Sequence, residues 1–128
     1  MILTGKVVII TGAGPGMGQA MCRGAAAEGA KVAVSARSAD AIAAIVADIK
    51  AAGGQAIAVP TDVTDTGQCQ RLAEATLKAF GRIDALLNSA FFWGAPATAD
   101  AADLEGWKAV YDTNLIGTMQ MAQAVVPV

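Results

Sequence analysis

Histidine is missing from this chain altogether, which excludes every catalytic triad and every metal site that needs an imidazole. Cysteine is nearly as scarce. Cys22 and Cys69 are isolated thiols, each inside a stretch of helical pattern, so they read as small buried hydrophobes and not as a disulfide framework. No metal site is expected. Charge is thin: 16% of the 128 residues are charged, and the net charge of −2 gives no electrostatic reason to expect nucleic acid or an anionic membrane surface as a partner. No apolar run approaches the ~18 residues that cross a bilayer. The start, Met1-Ile-Leu-Thr-Gly-Lys6, lacks the basic and long apolar regions of a signal peptide, so a cytoplasmic location is the default expectation. Against these shortages stands a hydrophobic content of 55%, high for a chain of one-domain length and expected of a parallel sheet buried on both faces.

Apolar runs and helical patterns alternate along the chain. Strands are predicted at Val7–Ile10, Lys31–Ala36, Gln55–Val59 and Ile83–Leu87. Helices are predicted from about Gly16 to Glu28, over 39–52 and over 66–80. Ser38 is placed to cap the second, whose Ile42, Ile45, Val46 and Ile49 fall on one face. The third places Cys69, Leu72, Ala73, Thr76 and Phe80 on one side. After a loop from Phe91 to about Ala102, a long helix is expected from roughly Asp103 to Val126. It carries Leu104, Trp107, Tyr111, Leu115, Thr118, Ala122 and Val125 on one stripe. Such alternation with short connections predicts an α/β fold, a doubly wound parallel sheet. Pro127-Val128 then ends the chain with no further strand.

The first strand runs directly into Thr11-Gly12-Ala13-Gly14-Pro15-Gly16-Met17-Gly18. This is not the strict G-x-G-x-x-G; it reads as T-G-x-x-x-G-x-G. A pyrophosphate must approach backbone N–H groups at the positive end of a helix, and any Cβ stands in the way. Turns also collect glycine without binding anything. The preceding strand and following helix favour the dinucleotide site.

Further motifs lie in order: Asp62-Val63 after the third strand, Asn88-Ser89-Ala90 after the fourth, and Asn114-Leu-x-Gly117 in the long helix. Together with the glycine turn they resemble the short-chain dehydrogenase/reductase family, over essentially the whole chain. The resemblance implies a Rossmann-like domain in which Gly12, Gly14, Pro15, Gly16, Met17 and Gly18 form the pyrophosphate turn, with Met17 presenting its N–H. It implies that Asp62 accepts from the adenine amino group, with Val63 beside the ring. Asn88, Ser89 and Ala90 would meet the cofactor's ribose, and the Asn88 side chain would tie neighbouring strands together. Read without the family, Asp62 could equally be a plain turn residue.

Asn114 and Gly117 are poor helix formers in an apolar helix. They mark either a tolerated polar helix contact or, as the family implies, a local distortion where Asn114 holds a water in the catalytic proton relay. At the end of the second strand stand Ala36, Arg37 and Ser38, where an acidic residue would bind the ribose of NAD and repel a 2′-phosphate. A guanidinium can pair with that phosphate, so NADP(H) is favoured over NAD(H). Pro15 stands where NADP-preferring relatives often carry a second basic residue.

Two departures matter. Phe91 replaces a family glycine, with Phe92 and Trp93 following; these rings either wall a substrate pocket or pack in the core beneath the loop. Tyr111 is the only tyrosine and has Leu115 four residues on, so the sequence holds no Tyr-x-x-x-Lys. The family's catalytic Ser, Tyr and Lys, which polarise the carbonyl and exchange its proton, are therefore expected beyond residue 128. Residues 1–128 then read as the partial, cofactor-binding domain of an NAD(P)-dependent oxidoreductase, truncated after about four strands and the long helix. Its alcohol or carbonyl substrate would be turned over only with the remaining half. A non-catalytic dinucleotide-binding module or an inactive remnant is the alternative. In the strand order that the resemblance implies, Ile83–Leu87 would be an uncovered edge, and the long helix would expose apolar surface that the family buries between subunits, so a homo-oligomer or self-association is expected.

Overall fold

The structure, a computed structural model, describes residues 1–127; Val128, expected with Pro127 to end the chain, lies outside the described residues. The four apolar runs form strands β1 (Val7–Ile10), β2 (Lys31–Val34), β3 (Gln55–Ala58) and β4 (Ala85–Leu87). They pair in parallel, in the order β3-β2-β1-β4. The helices are α1 (Met17–Ala27), α2 (Ala39–Ala51), α3 (Thr66–Phe80), α4 (Leu104–Tyr111) and α5 (Thr118–Val125). A π-helical stretch, Asp112–Gly117, joins the last two. The architecture is the Rossmann-like α/β layout expected from the alternation.

Side chains alternate across a strand, so β1 feeds two cores. Val8 and Ile10 pack with Cys22 of α1 and with Ile42, Ile45, Val46 and Ile49 of α2. Ile9 faces the other way, into a cluster with Leu72 and Ala73 of α3 and Met121 and Val125 of α5. Ile9, Ile10, Ile42 and Leu72 are fully buried, each contributing roughly 1.5–3 kcal/mol relative to exposure. Local signals agree with this packing. Ser38 caps α2 by accepting from Ala41 N at 3.3 Å, and Asp65 caps α3 by accepting from Gln68 N at 3.0 Å.

Strands β2, β3 and β4 are shorter than the sequence pattern predicts, yet pairing continues beyond their carboxyl ends. Ser35 N donates to Ile10 O at 3.0 Å and Thr61 N to Ala36 O at 2.9 Å. The chains then part, opening the edge where the loops emerge. Strand β4 lies at the margin of the sheet and is half-buried along its length.

The long helix expected from roughly Asp103 to Val126 is present as one continuous helical run, α4, the π stretch and α5; the stripe expected along it is the correction. Of the stripe expected along it, Leu104, Trp107, Tyr111 and Leu115 are exposed, and only Val125 is buried. The wider π turn carries an extra residue and shifts the inward face. Gly117, Met121 and Val125 consequently point into the core.

Candidate functional site

Where the strands part, their loops enclose a cleft of about 380 Å³ at the carboxyl edge of the sheet. Three groups predicted from separate motifs meet in it: Gly12, Gly14 and Pro15 after β1, Arg37 and Ser38 after β2, Asp62 and Val63 after β3. Ser89 and Ala90 after β4 complete the wall, with Phe91, Phe92 and Thr113 at one end. Gly16, Met17, Gly18, Asn88 and Asn114 do not line the cleft.

The glycines divide into two kinds. A Cβ on Gly12 would lie 2.4 Å from backbone atoms of Ser89 and Ala90, and one on Gly18 would lie 2.2 Å from Gly12 O. These two let main chain pack on main chain. Gly14 and Gly16 would project a Cβ into open space. Gly16 is also the N-cap of α1, at φ +92°, and no side chain caps that helix. Gly14 therefore presents bare backbone to the cleft, and Gly16 leaves the start of α1 open two residues on, where the helix's first N–H groups suit an anion. Met17, in the first turn, is exposed. The turn fits a bound diphosphate.

Thr11 was given no role by the sequence, although it opens the glycine motif. Its buried hydroxyl donates to Leu87 O at 3.4 Å and accepts from Ser89 N at 3.2 Å and Ala90 N at 3.4 Å. Thr11 thus ties the end of β1 to the end of β4, while Asn88, expected to tie neighbouring strands through its side chain, is exposed. Asp62 is both a turn residue and a cleft residue. Its Oδ1 accepts from Thr64 N at 2.9 Å and Thr64 Oγ1 at 2.7 Å, and its N–H donates to Gln68 Oε1 at 2.8 Å. Arg37 and Asp62 are the charged residues of the lining.

Asn114 lies inside the π stretch, so the distortion implied for that position is present. Its side chain accepts from Phe92 N at 2.7 Å and donates to Phe92 O at 3.1 Å. Its main-chain oxygen accepts from Thr118 Oγ1 at 2.9 Å. Phe91, Phe92 and Trp93 are not in the core; their exposures are 60%, 40% and 84%, and Phe91 stacks edge-on to Trp93. Core packing, one of the two readings of these rings, is therefore corrected. The core is filled by Ile9, Leu72 and Met121, with Phe91 and Phe92 on the cleft wall and Trp93 outside it. Both thiols are buried, and burial pushes Cys22 up to about 11, which makes it unreactive. No grouping of acidic or sulfur ligands that could hold a metal occurs among the described residues. No helix among them is long and apolar enough to cross a membrane.

A family model described as short chain dehydrogenase matches residues 6–128. The chain belongs to the short chain dehydrogenase family. Among members of this short chain dehydrogenase family, it is 41% identical over 128 aligned residues to the 3-oxoacyl-[acyl-carrier-protein] reductase of Synechocystis sp., covering 96% of this chain and 50% of the relative. A short chain dehydrogenase/reductase from Burkholderia phymatum, solved in complex with NAD, matches with a TM-score of 0.93 at 34% identity. That match covers 100% of this chain and 45% of the other. A metagenomic short-chain oxidoreductase solved with NADP matches with a TM-score of 0.91 at 30% identity, covering 99% of this chain and 57% of that one. The chain spans about half the length of the curated relatives it matches.

Proposed function

We propose that residues 1–128 are the cofactor-binding part of an NAD(P)-dependent oxidoreductase acting on an alcohol or carbonyl substrate in the cytoplasm. The carrying observation is the pair Gly14 and Gly16, bare of Cβ and facing open space at an uncapped helix start. That backbone receives the pyrophosphate. Asp62 and Val63 receive the adenine, and Ser89 and Ala90 the ribose beyond the phosphates. Solved relatives holding NAD and NADP support the cofactor class. Arg37, on the lining with no carboxylate at Ala36, favours NADP(H), because a 2′-phosphate meets a cation there and no like charge.

When bound, the nicotinamide supplies the two-electron redox chemistry. The chain's own residues hold the dinucleotide, and Asn114 fixes the Phe91–Trp93 segment over the far end. The family's Ser and Tyr-x-x-x-Lys would come from the rest of the protein. The exposed face of Leu104, Trp107, Tyr111 and Leu115, with the marginal strand β4, supports self-association.

The test is a titration with NADPH and NADH, followed by nicotinamide fluorescence. Tighter NADPH binding is expected, with Arg37→Asp weakening it about tenfold or more and sparing NADH. Equal affinity for both retires the NADP(H) preference, and binding of neither retires the cofactor reading. Turnover of carbonyl substrates once a segment carrying the Ser and Tyr-x-x-x-Lys is supplied separates a dehydrogenase from a non-catalytic binding module, and turnover by residues 1–128 alone would overturn the account of the catalytic residues.

A further inference from the structure

The end of the cleft proposed to take the adenine is built on the turn of residues 61–64, in which Thr61 and Val63 are buried and Asp62 half-buried, and that turn is anchored from an unexpected direction. Val63 O accepts from Gln120 Nε2 of α5 at 2.7 Å. The Cys69 thiol, a weak donor, reaches the same oxygen at 3.4 Å. The Thr66 hydroxyl donates to Gln120 Oε1, which turns the amide so that its nitrogen faces Val63. Beside it the helix comes close: a Cβ on Gly117 would lie 2.6 Å from Val63 Cγ2. The amino side of the turn is held separately, by Gln68 on Asp62 N.

We propose that Gln120 is a positioning residue for adenine recognition, acting through the Val63 carbonyl on the Asp62 carboxylate. Asp62 Oδ1 is committed to Thr64, so recognition depends on how the turn presents the second oxygen. Thr61 N on Ala36 O at 2.9 Å and Asp65 N on Asp62 O at 3.1 Å hold the backbone on either side of the Asp62 peptide. At the Val63 carbonyl itself the strong donor is Gln120, beside the weak Cys69 thiol, so this bond fixes the peptide that follows Asp62. It joins the adenine end to the helix that carries Asn114, so one continuous helical unit touches both ends of the cleft. This inference rests on the dinucleotide reading above.

Isothermal titration with adenosine monophosphate and with nicotinamide mononucleotide separates the two ends. In Gln120→Leu the dissociation constant for the adenine half is expected to rise about fivefold, the worth of one hydrogen bond, with the nicotinamide half unchanged. Gln120→Glu keeps the size and the oxygen facing Thr66 but presents no N–H, so it should lose as much as the leucine variant. Thr66→Val, which frees the amide to flip, should lose about half as much on a logarithmic scale. Unchanged adenine-half binding in both Gln120 variants overturns the inference and leaves the cofactor reading standing. Equal loss of both halves with a lowered Tm also overturns it, since that marks a merely structural residue. Failure of the unaltered protein to bind the dinucleotide or either half overturns the cofactor reading, and this inference with it.

Discussion

The turn after β1 and the segment after β4 face each other across the same cleft, yet they are built from opposite materials. The first is backbone and glycine, with Thr11 and Ala13 buried and Gly12 pressed against Ser89 and Ala90. Its first half, Thr11 to Ala13, is packed against its neighbours, while Pro15, Gly16 and Met17 are exposed. The second is exposed and aromatic, and its clearest attachment is one side chain, the Asn114 amide on both polar atoms of Phe92. Under the proposed reading, packed main chain would meet the diphosphate, the part that every nicotinamide cofactor shares, and the exposed rings would lie where a substrate approaches.

That contrast breaks first at the glycines. Gly12→Ala places a methyl on backbone atoms at a left-handed φ of +65°, and should cost about 3 kcal/mol or more, read as a large fall in Tm. Gly14→Ala meets nothing within 4 Å, so its stability should stay within about 0.5 kcal/mol. Its dinucleotide affinity, by titration, should still fall about tenfold or more, because the methyl occupies the ligand's approach. If both variants lose stability equally, the division into packing and binding glycines fails.

On the other side, Asn114→Ala should cost only about 1 kcal/mol in global stability. Its main effect should be local, with faster proteolysis between residues 91 and 102 and altered Trp93 fluorescence. An unchanged cleavage rate would mean that the aromatic segment is held by something besides the Asn114 amide. The smallest effect should come from the opposite edge of the sheet. Hydrogen bonds from Arg82, then from the Val7 N–H, hold the Asp84 carboxyl below the usual carboxylate range. A lowered folded-state pKa gives stability that is present above the unfolded value and lost as pH falls through the folded one. Asp84→Asn should therefore flatten the acid limb of the stability curve below about pH 4, leaving ligand affinity unchanged.

Periodicity carried the fold well where one helix face meets one core. Ile42, Ile45, Val46 and Ile49 are all buried as their spacing requires, and α3 has the bounds read from its pattern. The same reasoning misplaced the buried stripe of the last helix. No residue of α4 is buried on any face, so Trp107 and Tyr111 lie outside, and from the end of the π turn onward the buried side is Gly117, Met121 and Val125. Nothing local announces Thr11 as the junction of β1 and β4 either, since its partners lie 76 to 79 residues away. Gln120 escaped notice for the same reason, with Val63 57 residues distant.

Composition and pattern alone settled a parallel α/β sheet, a glycine turn at its first helix, and motif residues spaced to meet after each strand. These follow from short-range physics: which residues bury, which turn, which leave backbone bare. Tertiary structure alone decided that Gly12 packs while Gly14 stands open, that Phe91 and Phe92 lie on the cleft wall, and that the last helix bonds to residues at both ends of the cleft. Each of those depends on which distant atoms come within a few ångströms, and a linear order of residues carries no distances.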